Sequence, residues 1–322
     1  MFQPTRGGGA PDRSAGPDPA IERTLRRLEL AVTRRLDGLL VGDHLGLIPG
    51  SGTEKAESRE YRFGDDVRRM DWSVTARTTV PHVHDLIADR ELETWVVVDL
   101  SASMEFGTAL AEKRELAISM VAAVGHLTAR TGNRTGAVII SGDGVEVVPA
   151  RPGRDGLRAL LRVLLSTSRT AWDAPTARPD ASAATDLAAA ITRLEKPRRR
   201  RGLAVVISDF LTTDRSWERP LRVLGARHQV LAVEIRDPGE MELPNVGHLT
   251  VVDPETGARL EVPTGSRRLR ARYAQAAADH RREVALALRR AGAGHLVLHT
   301  DRDWIGDVVR HVSAARRGVG AA

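Results

Sequence analysis

Short apolar runs near residues 94–100, 135–141, 203–208, 229–235 and 295–299 alternate with helical stretches near 112–130, 154–166, 186–195 and 217–226. Runs such as Trp95-Val96-Val97-Val98 and Ala204-Val205-Val206-Ile207 carry no polar alternation, so strands built from them must be covered on both faces. Strands that alternate with helices in this way form a mostly parallel sheet between two helical layers. The expected fold class is therefore α/β, a doubly wound, mostly parallel, Rossmann-like sheet. Gly144-Val-Glu-Val-Val-Pro149 follows the second run through Gly142-Asp143 and is expected as a hairpin edge strand. A second hairpin is expected from Leu249 to Val262 around Pro254-Glu255-Thr256-Gly257. A long arginine- and alanine-rich helix over 266–291 and a last helix over 303–315 complete the body.

The expected organisation is a tail, an appendage and a large domain. Residues 1–19 are rich in Gly, Pro and Asp and are expected to be disordered. Residues 20–92 form an N-terminal helical and β appendage. Its helix over 20–40 carries Ile21, Leu25, Leu28, Leu30, Val32, Leu36 and Leu39 at mostly helical spacing and should pack on the main domain. A short strand from His82 to Ile87 is expected to lie beside the Glu93–Leu100 strand. Residues 93–322 form the α/β domain with its C-terminal helices.

Functional residues are expected where the strands end. The first apolar run ends in Asp99, with Ser101 and Ser103 at alternate positions beyond it. Residues 202 to 210 are a second apolar strand with Asp209 at its C-terminal end. Thr185 and Asp186 stand at the start of the helix near 186–195. In open parallel sheets, loops at the carboxyl ends of neighbouring strands meet in a crevice where the strand order reverses, and ligands bind there. One carboxylate with two hydroxyls suits a small hard cation such as magnesium. The chain has no cysteine, and no histidine pair lies near this strand, so a zinc site of the usual composition has nothing to be built from. Taken alone, Asp-x-Ser-x-Ser reads equally well as a helix cap.

The series Asp99-x-Ser101-x-Ser103, Thr185, Asp209 resembles, in chain order, the metal-ion-dependent adhesion site of von Willebrand factor type A domains. That resemblance implies a type A-like fold with Mg2+ (or another divalent hard cation) held by Ser101, Ser103 and Thr185. Asp99 and Asp209 would act largely through water, and one position would stay open for a carboxylate of a protein partner. A second resemblance rests on Arg59-Glu-Tyr61-Arg-Phe-Gly64-Asp65-Asp66-Val-Arg68-Arg-Met-Asp71-Trp72 and Arg77, preceded by Gly46-Leu-Ile-Pro-Gly-Ser-Gly52. This pattern is similar to that of domain of unknown function family 58 and spans roughly residues 25 to 245. The chain departs from it at Thr53-Glu54-Lys55-Ala56-Glu57, where the family often has Glu-Phe. Members are often associated with MoxR-type AAA+ ATPases, and the resemblance implies such a partner. The role of Arg59, Tyr61, Gly64, Asp65, Asp66, Arg68, Asp71, Trp72 and Arg77 stays open between a binding role and a salt-bridged surface loop.

Two function classes compete. One is a metal-dependent protein-interaction module, an adaptor or scaffold working with the ATPase in the assembly or remodelling of complexes. The other is a magnesium-dependent hydrolase or phosphotransferase with Asp99 as nucleophile. The second chemistry wants another carboxylate two residues on, where Ser101 stands, and no Gly-x-x-x-x-Gly-Lys loop is present, so no complete catalytic constellation is seen. His82 and His84 have metal-ligand spacing without an evident third ligand, and a half-exposed strand explains them as well. Lys196-Pro-Arg-Arg-Arg-Arg201 reads as a solvated connection. The net charge of +6 arises from 48 basic and 42 acidic residues, and two tyrosines with four phenylalanines offer little for base stacking. Nucleic acid is thus a poor candidate partner, and acidic protein surfaces fit at least as well. No run approaches the roughly 18 apolar residues of a membrane span, and the N-terminus lacks an apolar signal core, so a cytoplasmic location is expected. Many members of the resembled family carry membrane helices ahead of the arginine motif, and this chain looks like a soluble variant of them.

Overall fold

A computed structural model describes residues 18–39, 58–61, 70, 72–84, 93–129, 133–169, 186–195, 202–212, 214–254 and 257–319. The described chain opens with helix α1 (Pro19–Leu39), then strand β1 (Ser58–Glu60), helix α2 (Trp72–Thr78) and strand β2 (His82–His84). The body runs through β3 (Glu93–Asp99), α3 (Lys113–Ala129), β4 (Arg134–Ser141), β5 (Gly144–Pro152), α4 (Gly153–Ser166), α5 (Leu187–Glu195), β6 (Leu203–Ser208), α6 (Glu218–Arg227) and β7 (Gln229–Arg236). It continues with β8 (Leu249–Val252), β9 (Arg259–Val262), α7 (Arg267–Arg290), β10 (Gly294–His299) and α8 (Trp304–Val319).

The main sheet has the order β10-β7-β6-β3-β4-β5. Its pairings are parallel except for β5, which folds back antiparallel on β4. Numbered along the chain, these strands read 3-2-1-4-5-6 across the sheet, the doubly wound order in which the winding reverses beside the first strand. That first strand is β3, so the reversal falls between β3 and β6, with Val96 opposite Val205 and Val98 opposite Ile207.

Both faces of the sheet are covered, as the unbroken apolar runs require. Val96 and Val98 enter a core with Leu116 and Met120 of α3, Leu160 and Leu164 of α4, and Ile305 and Val308 of α8. Trp95 and Val97 enter the opposite core with Ile191 of α5, Leu221 of α6 and Leu288 of α7. Glycine is demanded at 136, which sits opposite Trp95 in the register. A Cβ there would come within 2.5 Å of the indole ring, so the large side chain on β3 is accommodated by the missing one on β4. The β4–β5 hairpin turns at Gly144, whose φ of 106° is open to glycine and costly for other residues.

Helix α1 packs on α3, α4 and α8. Its Leu25, Val32 and Leu36 are buried, whereas Leu30, on the other side, is half exposed. Ion pairs frame the contact, with Arg158 gripping both carboxylate oxygens of Glu29 at 2.7 and 2.8 Å and Arg35 bonding Asp303 at 2.6 Å. Burial of the apolar stripe outweighs these solvent-exposed pairs, each of which contributes at most about 1 kcal/mol.

One expectation is corrected. The strand at His82 pairs antiparallel with β1 and not with β3. The reason is topological: β3 has parallel neighbours on both edges, β4 and β6, and has no edge to offer. Residues 72–78 of the arginine motif region form α2, whose Thr75 hydroxyl accepts the His82 amide at 2.9 Å. Of the tail expected over 1–19, residues 1–17 lie outside the described residues, and Pro19 already belongs to α1. No helix among the described residues is long and apolar enough to cross a membrane.

Candidate metal centre at the reversal of the sheet

Asp99 is the last residue of β3 and Asp209 follows the last residue of β6, so the two carboxylates flank the reversal at the carboxyl edge of the sheet. Asp99 is 1% exposed. Its Oδ1 accepts the Ser101 amide at 3.0 Å and its Oδ2 accepts the Ser208 hydroxyl at 2.8 Å. Beyond Ser101 the chain enters a short 3₁₀ turn (Ala102–Glu105), closed by the Met104 amide on the Ser101 carbonyl. The turn, rather than continued strand alternation, brings the Ser101 and Ser103 hydroxyl oxygens to 3.2 Å from each other. Ser101 stands at the N-cap of this turn but makes no capping bond with its side chain, which removes the capping explanation for that hydroxyl.

This donor set fits a hard cation. Neighbouring ligands around an octahedral magnesium with bonds of 2.0–2.1 Å lie about 2.9 Å apart, close to the spacing of the two serine hydroxyls. Asp99 lies beside them and supplies negative charge, and Thr185, the third expected hydroxyl, lies outside the described residues. Asp186, one residue on, caps α5 by accepting the Ala189 amide at 2.6 Å. Among the described residues no group of three or more His, Asp or Glu side chains is arranged to hold a metal, so any cation here depends on hydroxyl ligands.

Asp209 is held differently. Its Oδ1 accepts the Leu211 amide at 3.1 Å and its Oδ2 accepts the Lys113 ammonium at 2.7 Å. Lys113 opens α3, is 0% exposed, and also bonds Glu240. Glu240 reaches it from a 3₁₀ turn (Pro238–Glu240) set by a capping box on Asp237. Asp237 in turn ties the loop before α3 to β10, accepting the Thr108 amide at 2.9 Å and the Thr300 hydroxyl at 2.6 Å. On the other side, Arg281 of α7 donates to the Asp209 carbonyl at 2.8 Å, to Glu234 at 2.9 Å and to Glu240 at 3.3 Å. Glu234 is fully buried and also takes bonds from Arg236 at 2.7 and 2.9 Å and from His295 at 2.8 Å. Phe210, with a left-handed φ of 53°, is pinned by its ring against Trp217 at 5.1 Å and by His280 at 2.9 Å from its carbonyl oxygen.

The two aspartates are driven apart electrostatically. Burial, and then the charge of Asp209, push the Asp99 carboxyl up to about 6. Burial opposes charge on Asp209 too, but the field and hydrogen bond of Lys113 hold it below the usual carboxylate range. For Lys113 itself burial opposes the charge, yet Asp209 and Glu240 hold the ammonium above its ordinary value. Asp209 is therefore the stronger acid of the pair, and a divalent cation beside Asp99 would favour its ionised form too.

Sequence reasoning missed Ser208, Lys113, Glu240, Glu234 and Arg281. Ser208 carries a readable signal, since it precedes Asp209 at the end of an apolar run. Lys113 carries none, because it sits in the charged stretch Glu112-Lys113-Arg114-Glu115, where a solvated lysine is the ordinary case. In the arginine motif, Tyr61 donates its amide to the Pro81 carbonyl at 2.8 Å, Trp72 opens α2 with 70% of its surface exposed, and Arg77 is exposed near the end of α2. Gly64, Asp65, Asp66, Arg68, Asp71 and the side chain of Arg59 lie outside the described residues, as do the side chain of His84 and the basic run 196–201. His82 Nδ1 lies 2.8 Å from the Val80 carbonyl oxygen, a local contact within its own turn.

Comparison with known proteins agrees with the arginine motif. The uncharacterized protein Rv1480 of Mycobacterium tuberculosis is 53% identical over 301 residues, which cover 94% of this chain and 92% of that protein. A second, the uncharacterized protein MAV169 of Mycobacterium avium, is 48% identical over 171 residues, 53% of this chain and 95% of that one. Among solved structures, the conserved hypothetical protein BatB from Bacteroides thetaiotaomicron is similar at 15% identity and a TM-score of 0.42, covering 70% of this chain and 99% of that one. The SpRpn10 VWA domain is similar at 13% identity and a TM-score of 0.36, covering 68% and 93%. The family model described as protein of unknown function DUF58 matches residues 57–283, starting later than the motif resemblance suggested and running on into α7. That span takes in the arginine motif and all of Asp99, Ser101, Ser103, Thr185 and Asp209, and the chain belongs to the DUF58 family.

Proposed function

We propose that this protein is a metal-dependent protein-interaction module, an adaptor or scaffold that captures an acidic side chain of a partner through Mg2+. The observation that carries the reading is the buried Asp99 beside two hydroxyl oxygens 3.2 Å apart, at the sheet reversal where ligands of this architecture bind. In this reading Ser101, Ser103 and Thr185 hold the ion, while Asp99 and Asp209 act through water. The ion supplies Lewis acidity toward an external carboxylate, and the chain orients the hydroxyls and fixes the two aspartates. A MoxR-type AAA+ ATPase is the proposed partner, on the strength of the family resemblance, and a soluble cytoplasmic setting suits that partner.

The hydrolase reading is the weaker one. Both oxygens of Asp99 accept hydrogen bonds from the protein, and the group is almost wholly buried, which is poor geometry for a nucleophile.

Calorimetric titration of Mg2+ into the protein and into Asp99→Ala tests the proposal, together with capture of a MoxR-type ATPase in the presence and absence of chelator. Saturable binding in the wild type, lost in Asp99→Ala along with the chelator-sensitive partner, is the expected result. Partner capture that survives both the mutation and the chelator would overturn it.

A further inference from the structure

Lys113 is a fully buried ammonium placed at one of the two aspartates of the candidate centre. A lysine is rarely buried unless paired, and here the pairing is specific: one bond to Asp209 at 2.7 Å and another to Glu240. Glu240 has a second cation, Arg281 at 3.3 Å, whereas among the described residues no arginine bonds the side chain of Asp209, Arg281 taking only its carbonyl. Both Asp209 oxygens already accept protein donors, Leu211 on one and Lys113 on the other. The positive charge beside Asp209 therefore comes chiefly from Lys113.

The geometry points to Lys113 as the residue that sets the charge of this centre. It neutralises Asp209, so that a divalent cation on Ser101 and Ser103 faces one uncompensated carboxylate, Asp99, and keeps a net positive charge that an external carboxylate can satisfy. This inference rests on the metal reading above and adds to it the reason the site takes an acidic partner. Two unneutralised aspartates would cancel the ion's charge and bind it firmly with nothing left to offer a partner. With Lys113 in place, the ion is held weakly by the chain alone and more firmly when a carboxylate joins it.

The test is a charge-removal cycle read by Mg2+ binding, with calorimetry and the Mg2+-dependent rise in thermal midpoint as readouts. Lys113→Met frees the charge of Asp209 and should tighten Mg2+ binding by at least about tenfold, while Asp209→Asn leaves the lysine charge unopposed and should weaken it by a similar factor. Lys113→Met combined with Asp209→Asn removes both charges and should return the affinity to near the wild-type value. A merely structural salt bridge predicts instead that both single variants weaken binding. Should Lys113→Met fail to fold, the comparison of Asp209→Asn with the double variant carries the same test, since Arg281 still covers Glu240 in both. Shifts of the same sign in the two single variants, or no recovery in the double variant, would sink the role of Lys113 and leave the metal reading standing. A wild-type protein that binds no Mg2+ would remove both.

Discussion

Ser208 shows how far a single side chain is committed at the reversal of the sheet. Its hydroxyl donates to Asp99 and accepts the Phe210 amide at 3.1 Å, all of it out of contact with water. Replacing it by alanine leaves a buried carboxylate oxygen and a buried amide each short of a partner. Ser208→Ala is expected to lower stability by about 1–3 kcal/mol, seen as a lower urea midpoint with an unchanged slope. A change below a few tenths of a kcal/mol would mean that water replaces the hydroxyl. At this scale Asp99, Ser101, Ser103 and Asp209 were legible in the sequence because each stands at the end of an apolar run. Their partners Lys113 and Arg281 lie 96 and 72 residues from Asp209 along the chain, and no local pattern relates residues so far apart.

Helix α1 was legible as an element, and its partners were not. Helical spacing picked out Ile21, Leu25, Leu28, Leu30, Val32, Leu36 and Leu39, of which Leu25, Val32 and Leu36 are buried and Leu30 is half exposed. That the stripe lies against α3, α4 and α8 follows from the fold, because those helices share the sheet face lined by Val96 and Val98. Leu36, with no exposed surface, is the sharpest probe. Leu36→Ala is expected to cost about 2–4 kcal/mol in global stability, and amides of α1 are expected to exchange with solvent at the rate of global unfolding. If α1 were a loosely attached appendage, the same substitution would leave the main unfolding transition in place and speed exchange in α1 alone. Strand β2 is the converse case. A three-residue strand has too little pattern to choose its neighbour, and the choice fell to β1 once β3 had both edges filled by long-range parallel pairing.

Across the whole molecule, Glu234 joins β7, α7 and β10, taking bonds from Arg236, Arg281 and His295. Burial alone would raise its carboxyl, but the hydrogen bonds of His295 and Arg236 and the field of Arg281 hold it down at about 2. A carboxylate whose value is depressed on folding stabilises the protein above its unfolded value of about 4.5 and loses that contribution as pH falls toward 2. The contribution is on the order of 3 kcal/mol. Glu234→Gln should therefore lower stability at neutral pH by a few kcal/mol and flatten the loss of stability between pH about 4.5 and 2. Equal acid sensitivity of the variant and the wild type in urea titrations across that window would show that other carboxylates dominate. The sequence by itself determined the fold class and the position of Asp99, Ser101, Ser103 and Asp209, because burial on both faces writes continuous apolar runs into the chain and places polar residues where those runs end. Only the tertiary structure decided that the strand ending in Asp99 lies beside the strand that precedes Asp209, so that the two carboxylates flank the reversal of the sheet, and that Lys113 and Arg281 reach Asp209 from separate helices. Such charge pairing depends on distances of a few ångströms between elements remote in sequence, and the one-dimensional pattern of apolar and polar residues does not carry them.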